Sequence, residues 1–290
     1  MGLCDEVRRT CAEIAANARW VRIEVDRLGA IEPGPPPSLD PGPHYLEGPR
    51  EDVAAYLLTL DAINFGSGWF PTLRKRPGAS GYYTVAWALA DRFRAEGAWS
   101  NAELQALGAA DVGAVLGQDP DHELMALYAR ALNDLGQWLG ERSALERIAE
   151  AGGSAERLAE LLAAGMPLFD DRGFWKRPQI VPNDLALAGV AEFDDLDRLT
   201  IFADNLVPHV LRCDGVLVYD ERLAAHIDAG RPLRMGPQEH EIRACGVYAC
   251  TRIAQRLGIT EQDLDHRLWA RGQAPEYKAR PRHRCRTVYY

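Results

Sequence analysis

From Leu124 to Trp138 the apolar residues Leu124, Leu127, Tyr128, Ala131, Leu135 and Trp138 recur at three- and four-residue steps, a spacing that fits one face of a helix and no strand. The same period is written elsewhere. Cys11, Ile14, Ala18, Val21, Val25 and Leu28 predict one apolar face of a long N-terminal helix, Val53, Tyr56, Leu57 and Leu60 a second helix, and Leu158, Leu161 and Leu162 a shorter one. Ser100 and Glu103 have the spacing of a capping box, Glu239 to Leu257 reads as a long buried helix, and Thr260 stands as N-cap before a last helix that turns Leu264 and Leu268 inward. Alternating, strand-like runs are scarce, with one short strand or hairpin expected near Val216 to Tyr219. The expectation is an all-α or nearly all-α fold. No fixed-period repeat supports a solenoid. At 290 residues and 47% hydrophobic content, the chain can build one large domain over 1–290, with two packed helical lobes and a pocket between them as one form of it.

Two segments interrupt the helical pattern. Gly34 to Pro43 is too rich in proline and glycine to be helical and reads as an extended connector that delivers His44. Asn64-Phe65-Gly66-Ser67-Gly68-Trp69-Phe70-Pro71 sets glycines between aromatic rings, which lets backbone approach closely and aims rings at a pocket.

Composition removes several function classes. A formal charge of −9 disfavours wholesale duplex binding, which relies on many Lys and Arg side chains neutralising phosphates. The basic C-terminus, with Lys278, Arg280, Arg282, Arg284 and Arg286 around His283, reads as a solvated tail or as a contact to a single phosphate group. Six cysteines without a CxxC pair or zinc-site spacing read as reduced, mostly buried thiols, and no metal is expected. No apolar run approaches the roughly 18 residues of a membrane span, and acids and arginines occupy the N-terminus where a signal peptide is apolar, so a cytoplasmic protein is expected.

Ionisable residues in apolar surroundings are the candidates for chemistry, because an unpaired buried charge is costly. The stretch from Phe174 to His209 holds Lys176, Asp184 and Asp204. Asp204, among Ile201, Phe202, Ala203, Leu206 and Val207, reads either as a cap for the following helix or as the acceptor for the adjacent N–H groups of a guanine-like base, with Phe202 stacking on the ring. Asp265, flanked by Leu264, Leu268 and Trp269, reads either as a solvated first-turn acid or, grouped with Asp263 and Arg267, as a carboxylate facing a sugar. Cleavage of an N-glycosidic bond passes through an oxocarbenium-like state that such a carboxylate stabilises or traps. Lys176 reads as a side chain snorkelling beside Trp175 or as a phosphate-binding cation, and Glu239, Glu241 and Arg243 as internal ion pairs. Ser67 and His44 lack an identifiable third partner for a triad.

Eight motifs in order carry a resemblance over nearly the whole chain: NFGSGWFP, SGYYTVAWAL, FWKRPQIVPNDL, FDDLDRLTIFADNLVPHVL, LVYDERLAAHID, QEHEIRACGVYA, DLDHRLW and HRCRTVYY. Together they resemble the queuosine salvage family, whose members act as queuosine 5′-phosphate N-glycosylases. The resemblance implies hydrolysis of queuosine 5′-phosphate to free the 7-deazaguanine base queuine for tRNA modification, with no metal or organic cofactor. It also implies a mainly helical fold similar to helix-hairpin-helix DNA glycosylases. By the family's DxxLW motif Asp265 is the expected nucleophile or transition-state stabiliser; by its FAD motif Phe202 and Asp204 contact the base, and His44 also touches queuine. Asp263 and Arg267 join the expected substrate contacts by proximity, and Lys176 or the basic C-terminus is the expected holder of the 5′-phosphate. The chain departs from the family where His266 and Arg267 stand in place of aromatic residues. No membrane partner and no stable nucleic-acid binding are expected. A base-excision glycosylase is the competing enzyme reading, weakened by the acidic balance, and a non-catalytic helical interaction protein leaves Asp204 and Asp265 without a role.

Overall fold

The helical periods become helices in the computed structural model, which describes residues 2–32 and 34–290. In chain order they are α1 (Leu3–Ala16), α2 (Arg50–Ala62), α3 (Gly81–Glu96), α4 (Asn101–Ala106), α5 (Ala109–Leu116), α6 (Glu123–Leu139), α7 (Ala144–Ala149), α8 (Ala155–Gly165), α9 (Lys176–Leu187), α10 (Val207–Cys213), α11 (Glu221–Asp228), α12 (Pro237–Leu257), α13 (Glu261–Arg271) and α14 (Pro275–Lys278). β1 (Val21–Ile23) and β2 (Leu217–Tyr219) pair antiparallel, Val21 opposite Tyr219 and Ile23 opposite Leu217. The Val216 to Tyr219 run is therefore a strand whose partner lies near the N-terminus, and not half of a local hairpin.

The first helix is shorter than its apolar period predicts. α1 stops at Ala16, and Val25 is 65% exposed. Glu241 of α12 explains the break: one carboxylate oxygen accepts the backbone N–H groups of Arg19, Trp20 and Val21 at 2.9, 2.5 and 2.7 Å. Those donors are satisfied without a helix, and the β-branched Val21 and Ile23 then pair with β2. Glu241 is thus a backbone acceptor, with no ion-pair partner among the described residues. Arg243 instead meets Glu239 at 3.6 Å and Asp171 through two hydrogen bonds. The Ser100–Glu103 capping box forms in full, whereas Thr260 takes the N-cap position of α13 without a side-chain bond.

Buried apolar side chains gather in two clusters. One is built by α2, α3, α6 and α8 around Tyr56, Leu57, Leu60, Leu89 and Tyr128. The other joins α1, α10, α12, α13 and both strands around Val7, Val210, Ile242, Ile253 and Leu264. Each fully buried aliphatic or aromatic side chain contributes about 1.5–3 kcal/mol. α9 belongs to both, with Val181 and Leu185 in the first cluster and Ile180 in the second. All six cysteines are free thiols, and only Cys213 is not fully buried. No helix among the described residues is long and apolar enough to cross a membrane.

Candidate active site

Where the two clusters meet lies a cavity of about 1060 Å³. α9 supplies its floor, because Lys176, Ile180 and Asp184 are spaced i, i+4, i+8 and share one helix face. The helix starts abruptly: Trp175 is left-handed at φ 52°, the one non-glycine positive φ among the described residues, and such strain costs about 1–3 kcal/mol and gathers at functional sites. Lys176 follows at once, buried rather than snorkelling. Its ammonium donates to the Asn64 carbonyl at 3.3 Å, and among the described residues no carboxylate lies within salt-bridge distance of it. Burial pushes its pKa down, opposed by the nearby charges of Asp204, Asp61 and Asp265.

Asp184, 6% exposed, accepts one hydrogen bond among the described residues, on Oδ1 from neighbouring Asn183 at 3.0 Å. His266 Nε2 stands 3.9 Å away, but burial holds that imidazole down to about 4, so it is neutral at physiological pH. Burial pushes the Asp184 carboxyl up to about 7. Behind it on α2, Asp61 is fully buried with Oδ2 unpartnered, and burial followed by the charge of Asp184 raises its pKa well above the carboxylate range.

The loop before α10 forms the facing wall and is pinned residue by residue. Gln179 of α9 accepts from the Thr200 amide and hydroxyl at 2.9 and 3.1 Å, Arg243 donates to the Ala203 carbonyl at 2.8 Å, and Asn205 donates to the His283 carbonyl at 3.0 Å. The Phe202 amide donates to Asp265 Oδ1 at 2.9 Å. Phe202 lines the cavity, edge-on to His266 with ring centroids 6.2 Å apart. Asp204 does cap the following helix, Oδ1 accepting the Leu206 and Val207 amides at 2.7 and 3.1 Å; no hydrogen bond reaches its other oxygen among the described residues.

Asp265 is far from a solvated first-turn acid. It is 5% exposed, and burial, then the charge of Asp204, raises its pKa well above the ordinary carboxylate range. Asp263 and Arg267 pair with each other at 3.0 Å, Arg267 donates to the Gly34 carbonyl at 2.6 Å, and neither lines the cavity. They hold the proline-rich connector that runs along the rim. His44 does line the cavity, its Nδ1 2.7 Å from the Asp40 carbonyl and its Nε2 2.9 Å from the Tyr82 hydroxyl. A carbonyl only accepts, so Nδ1 carries the proton and Nε2 accepts from Tyr82. With both nitrogens engaged, His44 has no hydrogen bond to Ser67.

The basic C-terminus is structure, not a free tail. Cys285 forms a bridge with Leu233, and His283 is buried. Gly68 makes the packing possible, since a Cβ there would lie 2.3 Å from the Cys285 carbonyl oxygen. Lys278, Arg280, Arg282 and Arg284 line the cavity, while Arg286 turns away to Glu123 at 3.1 Å. Arg280 is paired with Asp228. Arg282 and Arg284 have no carboxylate within salt-bridge distance among the described residues; burial lowers the pKa of both, and Arg282 lies in the field of Asp204. Two guanidinium groups without counter-ions thus face the same space as Asp204.

The site brings together His44, Lys176, Phe202, Asp204 and Asp265 and leaves out Asp263 and Arg267. Sequence reasoning passed over Asp61 and Tyr82, and it flagged Asp184 without giving it a role. The i, i+4, i+8 spacing of Lys176, Ile180 and Asp184 was the available signal.

A family model described as queuosine salvage protein matches residues 44–290. The chain is 31% identical to the queuosine 5′-phosphate N-glycosylase/hydrolase of Sphaerobacter thermophilus, over 100% of this chain and 98% of that protein. It is 32% identical to the Mus musculus protein of that name over 58% of each chain, and 34% identical to that of Dictyostelium discoideum over 40% of each.

Proposed function

This chain belongs to the queuosine salvage protein family, and from that premise we propose that it hydrolyses the N-glycosidic bond of queuosine 5′-phosphate, releasing queuine and ribose 5-phosphate. The freed base then serves tRNA modification, in the cytoplasm and without stable nucleic-acid binding. One observation carries the reading: a single cavity holds unpaired guanidinium groups, a carboxylate beside them and an aromatic ring and buried carboxyl beyond.

Arg282 and Arg284 take the 5′-phosphate, and that remote binding energy orients the reacting bond. The ribose then lies next to Asp204, the carboxylate in the field of Arg282 and Lys176. Its oxygen free of the α10 cap stabilises the oxocarbenium-like sugar or bonds to it, and water completes the hydrolysis, its oxygen going to the sugar and a proton to the base. The base stacks on Phe202 and meets Asp265, whose other oxygen is already tied to the Phe202 amide. This division exchanges the roles expected for Asp204 and Asp265 from the family motifs. Supporting the exchange is the burial of Asp265, which disfavours the charged form that a nucleophile or cation stabiliser needs.

The test is to incubate the purified protein with queuosine 5′-phosphate and separate the products by chromatography. Free queuine and ribose 5-phosphate in equal amounts are expected. No base release by the unmodified protein overturns the reading.

A further inference from the structure

The base of queuosine carries, at C7 of its deazaguanine ring, an aminomethyl group joined to a cyclopentenediol, so the side chain is a secondary ammonium at neutral pH. The substrate therefore bears two opposite charges, a phosphate on the sugar and an ammonium on the base. Arg282 and Arg284 answer the first. Resting on the substrate reading above, we propose that Asp184, backed by Asp61, is the counter-ion for the C7 ammonium and so determines specificity for the amine-bearing side chain.

Asp184 lines the cavity, is more than nine-tenths buried, and has no Lys or Arg within salt-bridge distance among the described residues. Its one hydrogen bond comes from the adjacent Asn183, which leaves Oδ2 without a protein donor among the described residues. A buried carboxylate lacking a partner is expensive, and a ligand cation removes that cost. The order of charges along the cavity agrees with the order of charges on the substrate. Contacts fix that order: Asn205, next to Asp204, bonds the carbonyl of His283, next to Arg282, at 3.0 Å; the Phe202 amide, two residues before Asp204, donates to Asp265 at 2.9 Å; and His266, next to Asp265, stands 3.9 Å from Asp184. A nucleotide with its phosphate at Arg282, its ribose at Asp204 and its base at Asp265 reaches Asp184 with its C7 substituent.

Six ionisable groups face Asp184 among the described residues: Tyr56 and Asp61 from α2, Tyr82 from α3, Lys176 from α9 itself, and Asp265 and His266 from α13, and burial keeps the Tyr56 phenol protonated. Burial keeps Tyr82 and His266 neutral through the physiological range. Burial pushes Asp184 up to about 7 beside the equally buried Asp61, so the pair they form gains charge as pH rises through neutrality. Attraction for an ammonium grows in that direction, until the amine itself deprotonates at alkaline pH.

The experiment compares two nucleotides of nearly equal size, 7-aminomethyl- and 7-cyano-7-deazaguanosine 5′-phosphate, by kcat/KM for base release. The unmodified protein is expected to prefer the amine by about 30-fold or more, the range for a desolvated charge pair. Asp184→Asn brings that ratio toward one, and Asp184→Glu restores part of it. A loss shared equally by both substrates in Asp184→Asn overturns the inference. Should Asp184→Asn fail to fold by circular dichroism, the unmodified protein decides: its amine preference rises between pH 5.5 and 7.5, and a flat ratio overturns the inference. Hydrolysis of queuosine 5′-phosphate without any amine preference defeats this inference alone; absence of that hydrolysis defeats the substrate reading.

Discussion

Asp204 and Asp265 face one cavity with the same functional group, but the chain presents them differently. Asp204 stands in a loop, where it accepts two amides at the start of α10 and lies near Arg282 and Lys176. Asp265 projects from within α13, deeply buried, with the Phe202 amide as its one hydrogen-bond donor among the described residues, and burial drives it toward the neutral acid. Residue type alone does not assign a role. The element that carries the carboxyl decides which donors and cations reach it, and those decide which form is stable.

The comparison breaks most visibly in Asp204→Asn. Asparagine keeps the capping geometry but lacks the negative charge, so single-turnover base release should fall by about 10³-fold or more while the thermal midpoint changes little. If Asp265→Asn causes the larger fall in kcat, the roles are those of the family motifs and the exchange is wrong. Arg282→Ala comes next. Loss of a phosphate contact should raise KM by about 10–100-fold with a smaller effect on kcat, and the defect should shrink for the unphosphorylated nucleoside.

Asp265→Asn should weaken substrate binding while stabilising the fold. The sign follows from the raised pKa: folded Asp265 holds its proton where the unfolded carboxyl has lost it, so this group's contribution to stability declines as pH rises above the unfolded value near 3.9 toward the folded one. The variant lacks that decline. Its melting temperature should therefore exceed that of the unmodified protein at pH 7 and converge with it near pH 4. The smallest effect belongs to Arg267→Ala. It removes a part-exposed pair with Asp263 and a bond to the connector, and should cost about 1 kcal/mol or less in a thermal melt with near-normal kcat.

Local physics made the helical class legible. The face spacing of α2, α6 and α8, the Ser100–Glu103 box and the length of α12 all follow from neighbours in sequence. The same logic overran α1, because the period through Val21, Val25 and Leu28 is a coincidence that Glu241, over 200 residues away, overrides with its carboxylate. The site divides the same way. Asp204 and Asp265 stood out as charges among apolar residues, and the FAD and DxxLW motifs of the family resemblance gave them and Phe202 a role that the residues alone left open. The link between Asp61 and Asp184 was not, since the two come from helices far apart in the chain and Asp61 sits in α2 with the ordinary look of a helix-end acid. For Arg282 and Arg284 the sequence left a solvated tail and a phosphate contact both open, and only the packing of the C-terminal segment against Gly68 and Leu233 turns them into a wall.

Single-turnover hydrolysis of queuosine 5′-phosphate by Asp204→Asn and Asp265→Asn, side by side at pH 7 with saturating protein, is the most direct measurement. Bond cleavage nearly abolished in Asp204→Asn, with substantial cleavage remaining in Asp265→Asn, is the predicted result. Cleavage that survives in Asp204→Asn and disappears in Asp265→Asn would contradict it.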